Sequence, residues 1–175
     1  MCKENINPQD GLPQELFLLA TTLMPCPNVD LFITDDNNRL LLTWRDDEYY
    51  GKGWHIPGGC LRLGETFETR IQKTAKTEIG TEVQVNLKDF YTKELIIADE
   101  RESLENQLER SHNISMLFHC KIPNGFIVYN NGRHEHTRGF AKWFEEIPSD
   151  ILPVHKKIYG GIMNSYFKGE LEWKM

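Results

Sequence analysis

Between Trp54 and Gly80 the chain carries its tightest constraint. Trp54-His55-Ile56-Pro57 runs into a Gly58-Gly59 pair, and a stretch without glycine or proline, Thr66 to Ile79, then closes on Gly80. Adjacent glycines let the backbone bend and approach another group, because no Cβ stands in the way. Phe67, Ile71, Ala75 and Ile79 recur at helical spacing, which predicts a helix with one stripe turned to a core. Gly80 suits the left-handed residue that ends such a helix. The loop and helix together place Glu65 before the first turn and Glu78 at the end. A hard divalent cation such as Mg²⁺ takes oxygen ligands of this kind and bridges them to phosphates. The same residues also read as a glycine turn and a helix with solvated acids.

The rest of the chain alternates in element type. Asp10 is placed to cap a helix with Pro13 near its first turn and Leu16, Phe17, Leu19, Ala20 and Leu23 behind it. Asn28–Ile33 and Arg39–Thr43 read as strands joined by a turn at 35–38, and Trp44–Lys52 reads as a polar loop. Further strands are expected at Val83–Leu87, Ile114–His119, Phe126–Tyr129 and Lys142–Ile147. The polar run Asp99–Arg110 fits a loop or a short helix, and Asn131-Gly132 is a turn. Ser149 or Asp150 is expected to introduce a last helix with Ile151, Ile158, Ile162 and Phe167 on its apolar face and a Gly160-Gly161 pair inside. The order predicts an α/β (α+β) chain, a mixed β-sheet packed between helices. With no linker or repeat, 1–175 reads as one domain, with an N-terminal helical arm at about 10–24 and a C-terminal helix at about 150–168.

Charge narrows the partners. Across 175 residues, 20 basic and 26 acidic side chains leave a net −6, which argues against a nonspecific nucleic-acid or membrane-surface binder. A small anion held by a local site remains compatible with it. The four cysteines (Cys2, Cys26, Cys60 and Cys120) show neither CxxC spacing nor a dense secreted pattern, so reduced thiols are expected. No apolar run approaches the roughly 20 residues of a membrane span. A cytoplasmic location is the expectation.

The segment Gly59 to Thr81 resembles the Nudix box, Gly-x5-Glu-x7-Arg-Glu-U-x-Glu-Glu-x-Gly-U, where U is aliphatic. Gly59 and Glu65 match; Lys73 and Thr74 stand at Arg-Glu, Ala75 at the first U, Thr77 and Glu78 at Glu-Glu, and Gly80-Thr81 close it. The resemblance implies a Nudix fold over Asn28 to about Ile147 and hydrolysis of a nucleotide-like substrate. Thr74 and Thr77 occupy two positions where that family carries acids, so a multi-metal cluster lacks oxygen ligands and one ion, Mg²⁺ or alternatively Mn²⁺, is expected.

That altered box is similar to the GDP-mannose mannosyl hydrolase subgroup, which cleaves the sugar C–O bond. The resemblance implies metal ligands Gly59 (carbonyl), Glu78 and Glu135, His136 as general base with His134 as the alternative, and Arg45 as a catalytic contact to the diphosphate. Arg62, two residues beyond the place of the subgroup's own arginine, is the candidate to reach the phosphates in its stead. It also implies Asp30 near the base. Cys60 stands where the subgroup has an arginine, and the loop before Trp143 is longer than usual. Tyr50, with Tyr49 and Trp54, is a candidate to stack on base or sugar. As a strand residue, Asp30 could equally point outward by alternation. A zinc site at His134-Glu135-His136 has poor spacing. The expected activity is Mg²⁺-dependent hydrolysis of a nucleoside diphosphate sugar, with GDP-mannose first, by a homodimer. Two alternatives stand beside it: conventional Nudix attack at phosphorus, and a nonhydrolytic nucleotide-binding domain.

Overall fold

Val29, Leu31 and Ile33 alternate with Asp30 and Phe32 along β1 (Cys26–Thr34), and from Val29 onward the whole strand is buried. Both of its faces are therefore covered. The computed structural model describes residues 7–96, 112–123, 125–171 and 173. The expectation for Asp99–Arg110 falls outside them. Among these residues a seven-stranded mixed sheet runs in the order β3-β2-β1-β6-β5, with β4 added to β1 and β7 to β2. The strands are β2 (Leu40–Asp47), β3 (Gly51–His55), β4 (Gly58–Cys60), β5 (Gln84–Ile96), β6 (His112–Lys121) and β7 (Ala141–Phe144).

The edges of β1 decide where the site forms. On one side β6 runs parallel along its full length, from Cys26↔Asn113 to Thr34↔Lys121. On the other, β2 pairs with it only at Thr34↔Leu40, then follows β7 from Leu40↔Phe144 to Thr43↔Ala141. The two strands diverge, and β4 takes the vacated edge through Asn28↔Cys60, Val29↔Gly59 and Asp30↔Gly58. The glycine loop is thus drawn into the centre of the sheet.

Helices α1 (Gln14–Leu23), α2 (Phe67–Glu78) and α3 (Pro153–Phe167) accompany the sheet. Ile71, Ala75 and Ile79 of the α2 region pack with Val29, Leu31, Ile33 and Leu41 on one face. Tyr159, Met163 and Tyr166 of α3 pack with Phe32, Leu42, Trp44 and Trp54 on the other. Thr66 caps α2 by accepting from Thr69 N–H at 3.1 Å. Gly80, with φ +82°, ends it, as its spacing predicts. The chain is a mixed sheet between helices, and no helix among the described residues is long and apolar enough to cross a membrane.

Several local expectations are corrected. Asp10 does not cap α1; it lies in a 3-10 turn (Pro8–Asp10) capped by Asn7, and α1 starts after Pro13 without a side-chain cap. Leu19 and Leu23 are exposed. The stretch 44–52 is not one loop, because β2 continues to Asp47 and β3 begins at Gly51, with Arg45↔Gly53 in register. Phe126–Tyr129 forms no strand. The Asn130 side chain instead makes the ladder-like bonds, accepting from Ala141 N–H at 2.7 Å and donating to Ala141 O at 3.0 Å. In α3, Leu152 precedes Pro153 at the start with no side-chain cap. Its buried face is His155, Tyr159, Met163 and Tyr166, one position away from the expected Ile158 and Ile162.

Candidate active site

Strand alternation sends Cys26, Asn28, Asp30 and Phe32 to the α3 side of the sheet, beside Asn113, Ser115 and Leu117 of β6 in parallel register. Toward Phe32 and Leu117 this face is apolar; toward Cys26 it turns polar. Over the polar end lies a cavity of about 820 Å³, large enough for a nucleotide-sized ligand. Phe17, Ala20 and Thr21 of α1 and His155 and Ile158 of α3 form part of its walls, and Asp30, Arg45, Tyr50, Gly58, Gly59 and Arg62 also line it.

Asp30 does not point to solvent: it is buried, with Tyr159 donating to its Oδ2 and Ser115 bonded to it. Burial pushes its carboxyl up to about 6, against the lowering effect of Tyr159, Ser115 and the Arg45 charge. Directly opposite stands Gly58. A Cβ there would overlap Asp30 Oδ1, because cross-strand partners project to the same face. At Gly59 the crowding comes from the other side: a Cβ would lie 3.2 Å from Thr74 Oγ1 and 3.4 Å from Arg70 Nη1.

Glu78 reaches this loop from the end of α2. Its Oε1 accepts from Gly58 N–H at 3.4 Å, and its Oε2 lies 2.9 Å from Thr43 Oγ1. Thr43 in turn is 2.9 Å from His55 Nε2, and His55 Nδ1–H donates to Ile56 O at 2.8 Å. Burial, with the Arg45 charge, drives His55 down to about 3, so the ring is neutral and its Nε2 is an acceptor. Burial raises Glu78 to about 7, opposed by Thr43, Arg45 and the Gly58 amide and assisted by the Asp30 charge. Thr43 has one hydrogen to give. With Glu78 ionised it goes to the carboxylate; with Glu78 protonated, the carboxyl hydrogen satisfies Thr43, which donates to His55. His155, also neutral because burial holds it well below its usual range, accepts from Ile56 N–H at Nδ1 (3.3 Å), leaving its proton on Nε2.

The positive groups are arranged unequally. Arg45 pairs with Asp47 at 2.8 Å and lies over Tyr50 at 5.1 Å, and its charge acts on Asp30, Glu78, His55 and His155 alike. Arg62 lines the cavity while its Nη1 donates to Gln9 O at 2.9 Å. Glu65 organises the loop, accepting from Arg62 N–H, Arg70 and Lys73 at 3.0, 2.9 and 3.0 Å. Burial works to raise its carboxyl, but Lys73, the Arg62 amide and the Arg70 charge hold it below the ordinary range.

Glu135 and His136 are placed elsewhere. Glu135 pairs with Lys142 at 2.7 Å, and His136 pairs with Asp150 at 3.3 Å with its ring 4.4 Å from Trp44. Adjacent strand residues face opposite ways, so Trp44 and Thr43, the partner of Glu78, project to opposite sides of β2. The cavity lining includes neither Glu135, His136 nor His134. The structure therefore brings Gly59, Asp30, Arg45, Tyr50 and Arg62 around one cavity, with Glu78 joined to its glycine loop through Gly58 N–H and Thr43 and not in the lining itself. The histidine loop lies apart.

Thr43, His55, Ser115, His155 and Tyr159 were not singled out by sequence. Thr43 was within reach, since alternation with Leu41 turns it toward α2. The others converge from distant elements and carry no local signal.

Among the described residues no group of three or more His, Cys, Asp or Glu side chains could hold a metal ion. The one carboxylate that meets the glycine loop from α2 is that of Glu78. That donor fits a single Mg²⁺ completed by water and substrate phosphates, which is how this ion commonly binds; it does not fit a two-metal cluster.

Residues 24–157 match the model of the NUDIX domain. No curated protein matches the sequence closely enough to count as a relative. Among solved structures, the chain is similar to a MutT NUDIX hydrolase from Burkholderia pseudomallei at 18% identity and a TM-score of 0.57, covering 83% of this chain and 97% of that one. It is also similar to a NUDIX hydrolase from Nitrosomonas europaea at 21% identity and 0.54, covering 81% and 70%. A third, a UDP-X diphosphatase, matches at 16% identity and 0.55, covering 91% and 73%. At these identities the likeness is one of fold.

Proposed function

The chain belongs to the Nudix family, and from that membership we propose that it is a hydrolase of nucleoside diphosphate derivatives that cleaves by attack at phosphorus. One observation carries the reading: a single cavity joins a hydrogen-bonding floor at Asp30, Ser115 and Asn113 to a cationic, glycine-lined end at Arg45, Arg62 and Gly58-Gly59. The floor suits the polar edge of a base, and the other end suits a diphosphate. Tyr50, held by Arg45, offers an aromatic face to base or sugar. The neutral His155 supplies an Nε2–H donor to the wall. Gly59 and Glu78 would hold one Mg²⁺, which when bound supplies charge neutralisation at the diphosphate. Arg45 keeps positive charge at the same place and orients the phosphates. The UDP-X diphosphatase among the structural neighbours is in keeping with this substrate class.

GDP-mannose remains the first sugar nucleotide to test. Carbon attack in the manner of the mannosyl hydrolases calls on Glu135 and His136, and their contacts with Lys142, Asp150 and Trp44 lend that mechanism less support than attack at phosphorus. A second reading, nucleotide binding without hydrolysis, is favoured by Thr74 and Thr77 standing where the family carries acids. A homodimer through α1 belongs to the same proposal, supported by the exposure of Leu19, Leu23 and Met24, and light scattering tests it.

The deciding experiment is a nucleotide-sugar panel with Mg²⁺ in H₂¹⁸O and product identification. Sugar phosphate with nucleoside monophosphate and ¹⁸O in phosphate is expected. Free sugar with nucleoside diphosphate overturns the mechanism in favour of carbon attack. Tight binding with no turnover establishes the second reading.

A further inference from the structure

Two of the cysteines meet in the cavity wall. Cys26 opens β1 and Cys60 ends β4, on the same sheet face, where Asn28↔Cys60 and Val29↔Gly59 set the register. Their sulfurs stand 3.0 Å apart, about 1 Å from the S–S length of a disulfide. Two thiolates sharing a tetrahedral zinc at about 2.3 Å each would stand about 3.8 Å apart, so the spacing favours the covalent bond over a shared ion. Both residues line the cavity, Cys26 at 5% exposure and Cys60 more open. Cys120, by contrast, is fully buried with its sulfur on Phe118 O.

We propose that Cys26 and Cys60 are a site of reversible oxidative modification, closing to a disulfide that pins β4, and with it the Gly58-Gly59 loop, onto β1. With a peroxide as oxidant the step balances. The Cys60 thiolate attacks one peroxide oxygen, the O–O bond breaks, hydroxide leaves, and Cys60 becomes a sulfenic acid. The Cys26 sulfur then attacks the Cys60 sulfur, the S–O bond breaks, and the second oxygen departs as water. Two electrons pass from the thiols to the peroxide, and two thiol protons end in water. The more open Cys60 is the attacking thiol, and the buried Cys26 resolves it before further oxidation. The crosslink is local: Leu61 N–H already donates to Pro27 O at 2.8 Å between the two cysteines, so the bond reinforces an existing strand pair.

The test treats the reduced full chain with hydrogen peroxide and follows intact mass, a non-reducing peptide map and hydrogen exchange. The expected product lacks two hydrogens, yields a Cys26–Cys60 linked peptide, and returns to the starting mass with dithiothreitol. Exchange in the peptide spanning Gly58–Leu61 slows by about tenfold in the linked form. Cys26→Ser removes the link and leaves Cys60 to gain oxygen, while Cys60→Ser leaves Cys26 unmodified. Cys60 driven to sulfinic acid with Cys26 intact, or linked instead to Cys2 or Cys120, overturns the proposal. A linked product whose Gly58–Leu61 exchange is unchanged overturns the pinning of the loop.

Discussion

Gly58→Ala puts the geometry of the cavity floor to a quantitative test. Gly58 does not occupy the left-handed region, so alanine meets no conformational penalty there and the cost is one of space alone. The new methyl would overlap Asp30 Oδ1 and come within 3.1 Å of Asp30 Cγ and 3.3 Å of Val29 O. Val29 O belongs to the sheet and does not yield, so the Asp30 carboxyl must move. Moving it strains a packed interior by about 1–3 kcal/mol. It also breaks the Tyr159–Asp30 bond and leaves that buried hydroxyl to Ser115, for about 1–2 kcal/mol more. The sum, about 2–5 kcal/mol, corresponds in a domain of this size to a melting temperature lower by roughly 5–15 °C. Thermal and urea unfolding of Gly58→Ala, Asp30→Ala and the double variant measure it. Asp30→Ala alone is destabilising because it also removes the Asp30 acceptor of Tyr159 and leaves that hydroxyl to Ser115. In its presence the Gly58 methyl has room, so the two effects fall short of additive by about 1–3 kcal/mol. A Gly58→Ala protein within about 0.5 kcal/mol of the parent, or strictly additive effects, would refute the reasoning.

Three further outcomes follow from the same groups. Asp30 has a folded-state value of about 6 against an ordinary 3.8, so the native state binds the extra proton between them; its contribution is complete below about 4 and lost as pH rises through 6, at most about 3 kcal/mol. From pH 4 to 7 this carboxyl pulls the urea midpoint down while the buried neutral His55 and His155 push it up, so Asp30→Asn should shift the slope upward relative to the parent; an equal slope in the variant rejects the assignment. Glu65→Gln removes the carboxylate that partners buried Arg70, and calorimetry should show a loss of about 3 kcal/mol, with a change under about 1 kcal/mol counting against Glu65 as the loop's organiser. Glu78→Gln keeps the shape but not the charge, so Mg²⁺-dependent turnover should be abolished, and a rate equal to the parent's would remove Glu78 from the metal site.

How far the residues announce this arrangement differs from element to element. Helix α2 is legible because its apolar stripe, its Thr66 cap and Gly80 all agree. Asp30 is not, since a charge in a strand reads as solvent-facing until the other face is known to be covered by α3. The face of α3 is misread by one position because isoleucines look more like core than His155 or Tyr159; what buries those two is a polar partner, Ile56 N–H for one and Asp30 for the other. Phe126–Tyr129 has strand composition but no strand, because a single amide at Asn130 satisfies Ala141 in place of a neighbouring chain. The box is legible as a glycine loop and a helix whose last residue, Glu78, returns to the Gly58 amide. The loop at 132–138 is not, because motif spacing there fixes neither the path of the chain nor the side of the sheet it meets.

The acid count also takes on a different meaning at the site than over the whole chain. Net −6 would repel a diphosphate if its charges were spread evenly. At the cavity they are not: Asp30 in its wall and Glu78 behind Gly58 are buried enough to hold protons near neutrality, at about 6 and about 7. Glu65 is paired with Arg70 and Lys73, and the Arg45 charge acts on both raised carboxyls. An anion entering there meets the guanidinium groups of Arg45 and Arg62 and an Asp30 carboxyl that is only partly ionised, with Glu78 behind Gly58 in the same condition. A cation at Glu78 must displace the proton shared through Thr43 toward His55, because metal ligation needs the ionised form. With Thr74 and Thr77 in place of acids, no other carboxylate on α2 shares that task, so cation and proton compete for one group. Cation affinity in this site should therefore rise with pH through the Glu78 transition, while affinity for the diphosphate alone falls as the same carboxyls ionise. Titration calorimetry with Mg²⁺ and with a nucleoside diphosphate separately, from pH 6 to 8, checks the two opposed slopes, and parallel slopes would break the link between burial and charge on which the site's chemistry rests.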